Sequence, residues 1–128
     1  MHTATGLYAH ITWHTRHRER SVRHADVAVI AEALMAAGQR TRVEVVAQAV
    51  LTDHVHAVLS YPPDATISAF VREAKSESAR RVNCCRSAGV RLYWCRGFYA
   101  GSLARSQVRA ARHYVASQFE KHPDRIPV

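Results

Sequence analysis

The segment Asp53-His54-Val55-His56 carries two imidazoles one residue apart. In an extended strand successive side chains alternate faces, so His54 and His56 project from the same side about 7 Å apart, while Val55, Ala57 and Leu59 point to the other. Two neutral imidazoles so placed can share one metal ion, and they can equally form a solvated pair on an open sheet face. The flanking Val, Ala and Leu residues weigh toward a ligand, because an imidazole pair set in an apolar strand needs partners to offset its desolvation. A second set of candidates lies near the end of the chain, where Tyr114 and Gln118 stand four residues apart and are neighbours on one face of a helix. Val108, Ala111, Val115 and Phe119 form the adjacent apolar stripe, which places Tyr114 and Gln118 at its edge, held by packing yet within reach of a substrate. On its own, a tyrosine at a helix edge is more often a packing residue.

The elements that must position these groups follow from periodicity. Residues 7–14 alternate apolar and polar and are rich in aromatic and β-branched types, which predicts a strand. Val27, Ile30, Ala31, Leu34 and Met35 recur at helical spacing and are followed by Gly38, which predicts an amphipathic helix with a glycine stop. From Thr41 to Ser60 the chain is dense in Val and Ala, is interrupted near Leu51-Thr52-Asp53 and closes on Tyr61-Pro62-Pro63, as two antiparallel strands joined by a tight turn would be. A second helix is expected from Ala65 to Asn83, with Ile67, Phe70, Val71 and Ala74 on one face. Residues 90–99 read as a fourth strand, or as one with an irregular end. Ser106 is placed to cap a last helix running to Glu120, which His122-Pro123 stops. The order β-α-β-β-α-β-α matches in its first six elements the ferredoxin-like split βαβ arrangement, an α+β fold with an antiparallel sheet and two helices on one face. The additional C-terminal helix carries Tyr114.

Length and composition bound the partner. With 128 residues, 48% of them hydrophobic, residues 1–128 are expected to form a single domain with a core that needs no metal or disulfide staple. Eighteen Lys and Arg against ten Asp and Glu give a net charge of +8, and sixteen of the cations are Arg. The planar fork of guanidinium donors suits phosphate, so the surplus points to nucleic acid, although an Arg codon bias accounts for part of the Arg-over-Lys preference. Aromatic residues interleave with the cations: Trp13 and Trp94 with Arg16, Arg18, Arg91 and Arg96 make a candidate surface for unstacked bases and phosphates. Three cysteines, Cys84, Cys85 and Cys95, include no Cys-x-x-Cys pair and read as inert, partly buried thiols rather than a zinc site. No stretch has the apolar length of a membrane span or the pattern of a signal peptide, so a cytoplasmic location is expected.

Taken together these residues resemble the single-tyrosine HUH transposases of bacterial insertion sequences, including the REP-associated tyrosine transposase relatives. The resemblance covers nearly the whole chain: the Tyr8–Trp13 strand with Thr15 and Arg16, Asp53-His54-Val55-His56 followed by Tyr61-Pro62-Pro63, the helix with Lys75 and Ser78, Trp94-x-x-Gly97-Phe98 with Ser102, and Tyr114-x-x-x-Gln118. Phe98 stands where the family often has Tyr. The resemblance implies that His54, His56 and Gln118 ligate a divalent metal, Mg²⁺ or Mn²⁺, and that Tyr114 is the nucleophile. It further implies cleavage and rejoining of single-stranded DNA at hairpin-bearing ends through a 5′-phosphotyrosine, without a nucleotide cofactor, by a homodimer in which Tyr114 serves either its own or the other subunit's His pair.

Other readings of the same residues are weaker. A histidine-triad hydrolase needs a third His where Val58 stands, and a two-histidine phosphoesterase needs a second His-x-Thr beside His10-Ile11-Thr12. Tyr93 and Tyr99 lack a Gln four residues on and suit packing or base stacking. The alternative to an enzyme is a domesticated module that binds hairpins or single strands without cutting them. Of the nine histidines, His54 and His56 are expected to function, while His2, His10, His14, His17, His24, His113 and His122 are assigned to the surface, to the vicinity of DNA or to helix ends.

Overall fold

A computed structural model of the protein describes residues 6–87 and 89–128; His2 lies outside the described residues. Strands β1 (Leu7–His14), β2 (Glu44–Val50), β3 (His54–Tyr61) and β4 (Tyr99–Leu103) form one antiparallel sheet in the order β2-β3-β1-β4. Helices α1 (Asp26–Thr41) and α2 (Ile67–Cys85) pack together on one face, and α3 (Val108–Ala116), followed by the short α4 (Gln118–Lys121), lies against β2 and β3 on the other. This is the expected split βαβ arrangement with its added C-terminal helix.

Side-chain alternation explains both faces. Ala9, Ile11 and Trp13 of β1 and Val55, Ala57 and Leu59 of β3 are buried beneath Ile30, Leu34 and Ala37 of α1 and Phe70, Val71, Ala74 and Val82 of α2. The opposite parity of β3 puts Val58 with Ala49 and Leu51 under Val115 of α3, with Val108 and Ala111 packed beside them. Helix α2 starts where Thr66 Oγ1 accepts the Ala69 N–H at 3.2 Å. At the base of the α1/α2 layer the buried Asp26 carboxylate accepts from the Arg23 N–H at 2.8 Å and the Arg86 guanidinium at 2.7 Å, tying the start of α1 to the end of α2.

Several expectations change. Helix α1 runs through Gly38 to Thr41 and ends on Arg42 in the left-handed region at φ 63°, so Gly38 is not its stop. Its role is close approach: a Cβ there would collide with the Val43 carbonyl oxygen, whose own N–H donates to the Gly38 carbonyl at 2.9 Å. Met35, expected on the apolar stripe, is 48% exposed.

The fourth strand is Tyr99–Leu103, not 90–99. Residues 90–98 form no strand beyond a single antiparallel bridge from Trp94 to Thr15, and their remaining hydrogen bonds include ones to side chains. The Asn83 side chain brackets Leu92 through both its amide atoms at 2.8 and 3.0 Å, Tyr93 O accepts from Arg16, and the Cys95 N–H donates to His14 O at 2.8 Å. Leu92 is fully buried and Trp94 half-buried, which produced the strand-like alternation, while Gly97 at φ 79° turns the chain into β4.

The last helix is also broken. It begins with a 3₁₀ turn at Arg105–Gln107 in which the Gln107 side chain, rather than Ser106, holds the Ala104 N–H at 2.8 Å. It is interrupted at Ser117, where the Ser117 hydroxyl and the Gln118 amide both donate to the Tyr114 carbonyl at 2.9 and 3.2 Å. Phe119 consequently leaves the apolar stripe and is 36% exposed. Cys84 and Cys85 are exposed and Cys95 is intermediate, so these thiols are less buried than expected.

The Gly38 contact gives a prediction that runs against helix propensity. Ala normally stabilises a helix interior over Gly by about 0.5–1 kcal/mol. Gly38→Ala should instead destabilise the protein by about 1–3 kcal/mol, because backbone must move. Urea unfolding of the two proteins checks this.

Candidate active site

The β1–β3 register brings the site together. Thr12 pairs with His56 and His14 with His54, and Tyr99 of β4 pairs with Thr12, so these side chains share the face that α3 covers. They line a cleft of about 380 Å³ closed on the helix side by Tyr114 and Gln118 and at its mouth by Arg18 and His122. His54 and His56 therefore do share a face, with ring centroids 4.9 Å apart.

Each imidazole is oriented by its Nδ1. For His54 this atom lies 2.7 Å from Asp53 Oδ1, and the Asp53 carboxylate, 1% exposed, is itself held by Arg125 through its other oxygen. An Nδ1–H donating to a buried carboxylate leaves the His54 lone pair on Nε2, the orientation typical of a metal-binding histidine. For His56, Nδ1 lies 3.0 Å from Nε2 of His10, and the two rings stack at 5.2 Å with 11° between planes. With the shared proton on His56 Nδ1, its Nε2 also carries a free lone pair.

Burial sets the protonation state. Desolvation, followed by the nearby His54, His10 and His122, pushes the His56 pKa down to about 3, and desolvation also lowers His10. His14 is lowered by desolvation and then by the Arg18 charge. Burial thus favours the uncharged form of His56, His10 and His14, which leaves ring lone pairs available at the floor of the cleft.

Gln118 is 1% exposed rather than at a helix edge, and its Oε1 is buried without a hydrogen-bond partner among the described residues. A desolvated amide oxygen left unpaired costs about 1–3 kcal/mol. Among the described residues no three His, Cys, Asp or Glu side chains converge on one point. Two imidazole Nε2 atoms and this orphaned oxygen nevertheless form a donor set that fits a divalent cation, and a cation would satisfy the oxygen. Tyr114, from the same helix, is 41% exposed, with its ring edge-on to His10 and His56 at 5.6 and 5.9 Å and the Lys121 ammonium 4.4 Å from its centroid.

The expected DNA-contacting residues divide. Arg18 lines the cleft itself, and Arg96 borders an adjoining depression with His14 and Tyr99. Arg16 stacks on Tyr93 at 4.4 Å, and Arg91 is spent on the Asn83 carbonyl at the end of α2. Trp94 packs edge-on against Trp13 at 6.0 Å and donates its indole N–H to Ser78 at 2.9 Å. Trp13 is 1% exposed and belongs to the α1/α2 core, so it is removed from the expected binding surface. The site also contains His10, His14 and His122, which the sequence assigns only to the surface, to the vicinity of DNA or to helix ends, together with Tyr99, which it assigns to packing or base stacking, and Thr12. Alternation in residues 7–14 combined with the split βαβ order carried a signal for His10, Thr12 and His14, since it sets β1 beside β3 with these three on one face.

The model of the IS200-like transposase family matches residues 3–118. None of the curated proteins compared matches the chain. Among solved structures, a protein described as a transposase from Deinococcus radiodurans R1 superposes with a TM-score of 0.71 at 21% identity, over 92% of this chain and 95% of that one. A REP-associated tyrosine transposase bound to a REP hairpin superposes with a TM-score of 0.74 at 20% identity, over 95% of this chain and 72% of that one. Among the described residues no helix is long and apolar enough to cross a membrane.

The depressed His56 pKa predicts an acid sensitivity of the metal-free protein. Unfolded His56 takes a proton near pH 6.5 and folded His56 only near 3, so stability is full above about pH 7 and falls as pH drops through that interval. The slope approaches about 1.4 kcal/mol per pH unit. Denaturant unfolding from pH 7 to 4 should show this decline, and His56→Gln should flatten it; parallel profiles would contradict the assignment.

Proposed function

The chain belongs to the IS200-like transposase family, and from that premise we propose that it cleaves and rejoins single-stranded DNA at hairpin-bearing ends with Tyr114 as the nucleophile. The observation that carries this reading is the convergence, within one chain, of an exposed tyrosine and a buried unpaired amide oxygen on two imidazoles oriented through their Nδ1 atoms. The hairpin bound to the solved REP-associated relative supports the choice of substrate.

Tyr114 Oη attacks the scissile phosphorus as the phenolic proton leaves to solvent at the open side of the cleft. The P–O3′ bond breaks, the upstream strand departs with a 3′-hydroxyl, and the downstream 5′-phosphate stays on the tyrosine. Attack of a 3′-hydroxyl on that phosphotyrosine reverses the step and joins a new strand, so the phosphodiester energy is kept and no nucleotide cofactor is used. Mg²⁺ or Mn²⁺ held by His54 Nε2, His56 Nε2 and Gln118 Oε1 would supply Lewis acidity toward the phosphate oxygens. Arg18 has no carboxylate partner among the described residues and places its charge at the cleft mouth, where it opposes that of the entering phosphate. Its approach is set by two successive non-glycine residues in the left-handed region, His17 at φ 58° and Arg18 at φ 55°, a strained turn of the kind that persists at working sites. Asp53 and Arg125 keep His54 oriented, and Lys121 holds the Tyr114 ring. The homodimer implied by the resemblance is not needed to bring Tyr114 to the His pair.

Incubation with a hairpin-bearing strand labelled 3′ of the cleavage position should give a covalent adduct that requires divalent metal and disappears in Tyr114→Phe, with DNA affinity held within about twofold. An adduct surviving that change would sink the assignment of the nucleophile. Tight binding without any adduct would make the protein a non-catalytic hairpin-binding module.

Gln118 should separate stability from activity. Gln118→Met keeps the volume and removes the unpaired oxygen, so its unfolding free energy should match or exceed wild type by up to about 1 kcal/mol while adduct formation falls at least about tenfold. Thermal unfolding alongside the adduct assay reads both.

A further inference from the structure

A second cleft, of about 450 Å³, opens at the Tyr8 end of β1. One wall is Tyr8; the other is Arg105, Val108, Arg109 and Arg112, from the turn before α3 and from α3 itself. Arg105, Arg109 and Arg112 follow at spacings of four and three, which sets them along one side of the helix. No Asp or Glu lines this cleft among the described residues, and Arg109 and Arg112 have no carboxylate partner there. Several arginines elsewhere are neutralised: Arg42 by Asp64, Arg80 and Arg81 by Glu77, Arg86 by Asp26, Arg125 by Asp53. The guanidiniums of Arg109 and Arg112 on one wall repel each other, and a chain of phosphates is the ligand that relieves this. The phenol ring of Tyr8 adds a platform on which a base can stack.

The cleft lies beside the active site. Tyr8 and His10 take alternate positions on the same face of β1, and His10 contacts both His56 and the Tyr114 ring. From Tyr8 to Thr12, the partner of His56, the strand covers about 13 Å at about 3.3 Å per residue. That is roughly four stacked nucleotides at about 3.4 Å each, or two in a strand stretched to twice that.

We propose that Tyr8, Arg105, Arg109 and Arg112 form a binding site for the single-stranded DNA that flanks the cleavage position, two to four linkages away from it. The guanidiniums hold the phosphates and Tyr8 stacks on a base. The position of the site relative to cleavage rests on the reading of the Tyr114 cleft given above; the binding does not.

The test uses the full chain carrying Tyr114→Phe and a fluorescein-labelled oligothymidylate. Arg109→Gln/Arg112→Gln, both at exposed positions, should raise Kd at least about tenfold and reduce the slope of log Kd against log salt by about 1.4, two phosphates at about 0.7 each. Tyr8→Leu should weaken binding about fivefold or more and Tyr8→Phe by less than about twofold. Unchanged Kd and salt slope in the double Arg variant, with unfolding temperature preserved, would overturn the site. Placement is read separately on the cleaved hairpin strand. A single neutral methylphosphonate at the second, third or fourth linkage from the cut should raise KM in the Tyr114 protein and add nothing in the double Arg variant. Additive effects would overturn the placement. Absence of any adduct from the Tyr114 protein would count against the catalytic reading and leave the oligothymidylate result to decide the site.

Discussion

His56 stacked on His10, with 3.0 Å between the ring nitrogens, is an uncharged pair held in a desolvated sheet face, and that constraint shapes what surrounds it. A protonated imidazole in this pair would lack a counter-ion, so His56 and His10 are kept neutral and hydrogen-bonded to each other. This fixes the register of β1 on β3. A slip of one residue would send His54 and His56 into the layer of Ile30, Leu34 and Phe70 and bring Val55, Ala57 and Leu59 into the cleft. The hydrophobic effect on one face and the polar network on the other thus demand the same alignment, which makes it far more specific than either would alone.

The apolar layer also places parts of the site at a distance. Lys75 of α2 donates to the carbonyls of Cys95 and Gly97, Ser78 accepts the Trp94 indole N–H, and Asn83 brackets Leu92. These contacts anchor the irregular run from 90 to 98 to the helix, and that anchoring delivers Tyr99 to the first position of β4, opposite Thr12 in the cleft. Gly101 completes the arrangement: the Tyr99 phenol lies over it, where a Cβ would meet the hydroxyl at 2.6 Å. Burial of Lys75 lowers its pKa, but its backbone acceptors keep the ammonium group satisfied, so the helix can use a cation as a structural clamp.

What the sequence made legible was whatever obeys a period. Alternation identified β1 and β3 and the shared face of His54 and His56, and helical spacing identified α1 and α2 within a few residues. The Asp53-to-Gln118 set of motifs was readable because its members are rare types at fixed spacings. Segments held largely by side chains are not readable in this way: Leu92 and Trp94 alternate inward like a strand, yet Asn83 and Ser78 anchor them and only the single bridge from Trp94 to Thr15 is formed. Strand β4, Tyr-Ala-Gly-Ser-Leu, has little β propensity and exists because β1 offers it an edge. His10 was visible as a strand residue, yet its role requires the pairing partner, and a single periodic pattern does not reveal which strand lies alongside. Trp13 shows the opposite failure, an aromatic residue among arginines that looks like a stacking platform until the parity of β1 turns it into the core.

The break at Ser117 is where local chemistry and the site meet. On a continuous helix, residues four apart sit one above the other and share a degree of exposure, as the sequence reading assumed for Tyr114 and Gln118. Here the two differ, 41% against 1% exposed, because Ser117 and Gln118 both turn back to the Tyr114 carbonyl and end the helical ladder. Gln118 is thereby drawn over the imidazoles while Tyr114 stays at the rim, where a bulky substrate can reach it. The same two hydrogen bonds couple the groups mechanically: the amide that aims Gln118 Oε1 into the cleft is bonded to the backbone that carries the Tyr114 ring. An unpaired oxygen and an interrupted helix are both unfavourable for a fold considered alone. Their coincidence at one turn, beside two oriented imidazoles, is the strongest structural reason to read this turn as part of a working site rather than as an end of the chain that packs imperfectly.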